Sequence, residues 1–80
     1  MKTINIYISL KKTVADPQGL TVKHALDSLG YKNVEGVRMG KYVQLKAEKI
    51  TEEEIHDMCK KLLVNPIIEE YRFEITEGEK

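Results

Sequence analysis

With 80 residues, 13 basic against 13 acidic side chains and a formal net charge of +0, the chain has no overall field to steer a polyanion or coat an anionic membrane. No apolar run approaches the ~18–20 residues of a membrane span or makes a signal peptide's apolar block, so a cytoplasmic protein without nucleic-acid or membrane partners is expected. The lone Cys59 excludes an internal disulfide. One domain over 1–80 buries only about two thirds of its unfolded surface, and a core of this size supplies about 3–5 kcal/mol. With one cysteine and two scattered histidines there is no structural zinc set, and self-association is the stabiliser left.

Ile4, Ile6, Ile8 and Leu10 alternate with Thr3, Asn5, Tyr7, Ser9 and Lys11, which predicts a strand aliphatic on one face and polar on the other. Asp16-Pro17-Gln18-Gly19 then marks a turn or helix start, because Asp accepts from nearby backbone amides and proline's φ is preset for the first helical position. Val22, Ala25, Leu26 and Leu29 fall on one helical stripe. Gly30 fits the left-handed cap that ends it, with Tyr31 placed to pack back over the last turn.

Val37 and Met39 before Gly40, and Val43, Leu45 and Ala47 after it, alternate with Arg38, Tyr42, Gln44 and Lys46. This predicts a hairpin over 34–47, with Gly40 supplying the freedom of a tight connection and Arg38 and Lys41 at its tip. Thr51 followed by Glu54 is a capping box with further acid in the first turn. Ile55, Met58, Cys59, Leu62 and Leu63 repeat at helical spacing until Asn65-Pro66 stops the helix. A last strand is expected from Ile67 to Ile75, followed by a polar tail over 76–80.

The element order βαββαβ is that of an α+β, ferredoxin-like fold: a four-stranded antiparallel sheet with two helices on one face. Its open face would then carry Asn5, Tyr7, Ser9, Arg38, Tyr42, Gln44, Lys46, Glu70, Arg72 and Glu74. Such a surface suits a protein partner.

The reactive residue types have plainer explanations than catalysis. Cys59 sits on the apolar stripe of the second helix and reads as a buried thiol. His24 and His56 lie on polar helix faces with no second ligand at metal spacing, and Glu52, Glu53 and Glu54 complement a helix N-terminus. Neither Gly36 nor Gly40 opens a phosphate-binding loop. Gly40-Lys41-Tyr42-Val43, with Tyr7, resembles the stacking aromatics of an RNA-recognition module, an idea that the neutral charge opposes.

Together, Asp16-Pro17-Gln18-Gly19, Val22-Lys23-His24-Ala25-Leu26, Leu29-Gly30-Tyr31, Val34 with Val37-Arg38-Met39-Gly40-Lys41, and Leu62 through Tyr71 resemble the PurS family, the small subunit of phosphoribosylformylglycinamidine synthase. The match covers nearly the whole chain. The resemblance implies a noncatalytic homodimer or higher homo-oligomer that bridges a large synthetase subunit and a glutaminase subunit. It holds no cofactor, while ATP, Mg and glutamine are used by those partners.

Arg38, Gly40, Lys41, Tyr7 and Tyr42 are the interface candidates, and Asp16, Pro17, Gly19, Gly30, Asn65 and Pro66 are structural turn residues. A small-molecule regulatory module of the ACT type shares the element order and is the alternative, with an RNA-binding module behind it.

Overall fold

The fold is built on β1 (Lys2–Leu10), whose Ile4, Ile6 and Ile8 are all but fully buried. In the computed structural model, which describes residues 1–77, β1 is the middle strand of a three-stranded antiparallel sheet. It lies between β2 (Gly40–Ala47) and β3 (Glu69–Glu77). The register sets Ile6 opposite Val43 on one side and Phe73 on the other, so one face is aliphatic across all three strands. Tyr7, Tyr42 and Arg72 align in the same way on the opposite face.

The helix α2 (Glu52–Met58) covers the aliphatic face. Its start is the expected capping box: the Glu54 N–H donates to Thr51 Oγ1 at 3.1 Å and the Thr51 N–H donates to Glu54 Oε1 at 2.9 Å. Beyond Met58 the helix widens into a π-helical turn, Cys59–Leu63, where the Val64 N–H reaches back to the Cys59 carbonyl at 2.8 Å. The wider turn rotates the apolar stripe. Ile55, Cys59 and Val64 point into the core, whereas Leu62 is 82% exposed.

Three expectations need correction. Among the described residues the sheet has three strands, not four, because residues 34–39 form no strand and the hairpin is absent. Short alternation around Arg38 fits any extended backbone; here the Met39 N–H donates to the Asp16 carboxylate and Arg38 points to loop carbonyls, so the segment is tied to the start of the first helix.

Second, among the described residues only one helix lies on the sheet. The helix α1 (Pro17–Ser28) contributes no residue to the core that Ile55 and Cys59 share with the sheet, and Gly19 is its one buried residue. Third, β3 begins at Glu69 because the Asn65 carbonyl accepts from the amides of Ile68 and Glu69 in a turn. Its pairing then runs through Thr76 and Glu77 into the expected tail, of which residues 78–80 lie outside the described residues.

Candidate functional site

The sheet face opposite α2 carries a connected polar network. Tyr7 and Tyr42 face each other across β1 and β2 with ring centroids 5.3 Å apart, and the Arg72 guanidinium lies 4.2 Å from the Tyr7 ring centre. The Tyr7 hydroxyl donates to Glu74 Oε1 at 3.2 Å, and the Tyr42 hydroxyl donates to Asn5 Oδ1 at 2.7 Å. Gln44 Nε2 donates to the same Asn5 oxygen at 3.1 Å. Partial burial and the Glu74 carboxylate both push the Tyr7 phenol upward, so it stays a neutral hydrogen-bonding group. Rings, amides and charged groups on this face are thus held in place by their neighbours.

A second cluster joins α1 to the sheet. Asp16 caps α1: Oδ1 accepts from the Gly19 N–H at 3.0 Å, and Oδ2 accepts from the Met39 N–H at 2.7 Å. The Met39 amide, then the Gly19 amide, hold the Asp16 carboxyl below the usual range. Arg38 donates from Nη1 to the Val14 carbonyl at 3.2 Å and from Nη2 to the Lys11 carbonyl at 2.9 Å. The return segment runs so close to α1 that a Cβ on Gly19 would stand 2.3 Å from the Val37 carbonyl oxygen. Likewise, a Cβ on Gly40 would meet the Ile8 carbonyl oxygen at 2.6 Å.

Lys41 belongs to β2, not to a hairpin tip. Its Nζ reaches Glu69 Oε2 at 3.2 Å across the end of β1. Glu69 also accepts from the Asn65 N–H at 2.8 Å, and this amide, followed by Lys41, lowers its carboxyl. Pro66 follows Asn65 in the turn that brings the chain into β3. At the far end of α1, Gly30 has φ +102° and the Tyr31 N–H donates to the Leu26 carbonyl at 3.0 Å, a left-handed cap. Tyr31 itself is exposed.

The structure thus gathers Asp16, Pro17, Gly19, Arg38 and Gly40 at the root of α1 and places Tyr7 and Tyr42 on the open sheet face. The tie between Asp16 and Met39 is hard to read from the sequence, because it links residues 23 apart. Gly19 was its one available signal: glycine inside a helix costs about 1 kcal/mol relative to alanine and marks close backbone approach.

No reactive group is poised at either cluster. Burial raises the Cys59 thiol and disfavours its thiolate. His56 is exposed, as expected of a polar helix face, and its ring leans over β3, where its Nδ1 meets the Tyr71 hydroxyl and its edge meets Phe73. Among the described residues, no group of three or more His, Cys, Asp or Glu side chains is arranged to hold a metal ion. No helix among them is long and apolar enough to cross a membrane.

The chain is similar to known proteins over nearly its whole length. The family model described as PurS, phosphoribosylformylglycinamidine (FGAM) synthase, matches residues 3–77. The chain is 46% identical over 80 residues to the phosphoribosylformylglycinamidine synthase subunit PurS of Bacillus subtilis (strain 168), covering 96% of this chain and 95% of that one. It superposes with a TM-score of 0.88 on the crystal structure of Methanocaldococcus jannaschii PurS, at 39% identity, covering 99% of this chain and 100% of that one. A chain in the structure of PurLQS from Thermotoga maritima gives a TM-score of 0.81 at 29% identity, covering 94% of this chain and 96% of its counterpart.

Proposed function

Because the chain belongs to the PurS family, we propose that it is the small, noncatalytic subunit of a phosphoribosylformylglycinamidine synthase in purine biosynthesis. In this reading it works in the cytoplasm, self-associates as a homodimer or higher oligomer, and holds a synthetase subunit and a glutaminase subunit in register. The observation that carries the reading is the likeness, over 94% of the chain, to a component of the Thermotoga maritima PurLQS structure. Two ordered polar features suit contact with those subunits and support the reading: the Tyr7–Tyr42–Arg72 face and the Lys41–Glu69 end of the sheet.

Ammonia freed from glutamine by one subunit must reach a substrate activated with ATP and Mg on another before solvent takes it. Fixing the two sites relative to each other therefore raises the rate without any chemistry by the small subunit. The test is glutamine-dependent amidine formation by the synthetase and glutaminase subunits with and without this chain, with ammonia as the alternative nitrogen donor. The chain should restore the glutamine-driven rate while the ammonia-driven rate barely depends on it. Two rates indifferent to the chain, with no complex formed, would contradict the assignment.

A further inference from the structure

The only two arginines of the chain, Arg38 and Arg72, are used differently. Arg38 gives its guanidinium to the carbonyls of Leu10, Lys11 and Val14 and so closes the root of α1. Arg72 is exposed on the open sheet face, 4.2 Å from the Tyr7 ring centre, and among the described residues its guanidinium enters no ion pair. Glu70 and Glu74 stand two positions to either side of it on β3, and Glu74 is engaged by the Tyr7 hydroxyl.

The polar groups around Arg72 bond one another. Tyr7 donates to Glu74, while Tyr42 and Gln44 share Asn5 Oδ1. The unmatched function on this face is the guanidinium, and its place over the Tyr7 ring lowers the ordering cost of binding. Beside it opens a cleft of about 360 Å³ lined by Tyr7, Ser9, Glu70 and Arg72.

A guanidinium fork matches a planar carboxylate through two parallel N–H···O bonds. A phosphate or a polyanion would bring more negative charge against Glu70 and Glu74, and the formal net charge of +0 gives no field to hold one. The cleft lies open on a sheet face, so a small free acid would bury little, whereas a protein surface would also cover the exposed Tyr42 ring and the half-buried Tyr7 ring beside it.

Resting on the proposed bridging role, we infer that Arg72 anchors a contact with a partner subunit of the synthase: an Asp or Glu side chain of that subunit enters the cleft, its carboxylate accepts from the Arg72 guanidinium, and neighbouring atoms of the partner cover Tyr7 and Tyr42.

The test reconstitutes the synthetase and glutaminase subunits with the full chain and titrates glutamine-driven amidine formation with wild type, Arg72→Ala and Arg72→Lys, circular dichroism checking that each is folded. Arg72→Ala should raise the half-saturating concentration about tenfold or more and leave the rate at saturation unchanged. Arg72→Lys should recover only part of the loss, because an ammonium has no fork. A water-soluble carbodiimide should join position 72 of Arg72→Lys to an Asp or Glu of a partner subunit, a link that wild type cannot form there.

An Arg72→Ala titration that matches wild type overturns the anchor while the bridging role stands. A carbodiimide link from position 72 confined to Glu70 or Glu74 of its own chain, or to a second copy, also overturns it. A wild-type chain that neither assembles nor restores turnover removes the bridging role, and the anchor with it.

Discussion

The α2–sheet body and the α1 arm each carry an apolar helical stripe, yet the chain buries only one. In the body, Ile55 and Cys59 close over Ile4, Ile6 and Ile8, and the residues at the centre are shut off from water. In the arm, hydrogen bonds to the Asp16 carboxylate and from the Arg38 guanidinium fix where the helix begins, while Leu20 and Leu29 remain outside. A stripe at helical spacing states that cover is needed; it does not say which chain supplies it. The body is held by burial, and the arm is held at its root by polar contacts.

That contrast can be broken most severely at the centre of the sheet. Ile6→Ala leaves a cavity beneath α2 and should cost about 2–5 kcal/mol in urea denaturation. Leu29→Ala, studied at dilutions where the chain is unassociated, should stay within about 0.5 kcal/mol. Comparable losses at the two positions would show that the arm stripe is already covered in the single chain.

A smaller effect is expected at the hinge between the regions. Gly40→Val drives a side chain into the Ile8 carbonyl, where neither strand backbone can give way, and should cost about 1–3 kcal/mol in the same measurement. Removing the α2 cap is milder still: Thr51→Ala forfeits the bond to the Glu54 amide and should lower stability by about 1 kcal/mol, read as a shift in thermal midpoint.

The smallest effect is a difference in acid response. The carboxyls of Asp16 and Glu69 are depressed in the folded chain, so each contributes stability that is present above its unfolded pKa, about 4. That contribution is lost as pH falls through the lower folded value. Helical circular dichroism of Asp16→Asn should therefore show a weaker acid transition than wild type, with α1 slightly less ordered near neutrality. An unchanged acid profile would mean that Asp16 does not secure the arm.

Much of this arrangement is legible in the amino-acid order. The β1 alternation, the Asp16 and Gly30 ends of α1 and the Thr51–Glu54 box are local signals, and local hydrogen bonds realise them. The path of 34–39 is not legible, because Val37-Arg38-Met39 alternates like a strand while its polar partners, Leu10, Lys11, Val14 and Asp16, lie more than 20 residues away. Nor was the π-helical turn: one extra residue between Cys59 and Val64 changes which leucine faces outward, and no propensity marks it. For the candidate site, the pairing of Tyr7 with Tyr42 follows from strand register, whereas the bonds from Arg38 to loop carbonyls depend on a chain path that no local signal marks.

The most direct test of the division into body and arm is amide hydrogen exchange over a dilution series. A 12-residue helix without tertiary cover is marginal in water. The α1 amides should therefore be protected when the chain is concentrated and lose protection on dilution, while amides at the centre of β1, around Ile6, stay protected throughout. Protection of α1 that matches β1 at every concentration would contradict the account, because α1 would then be stabilised within its own chain.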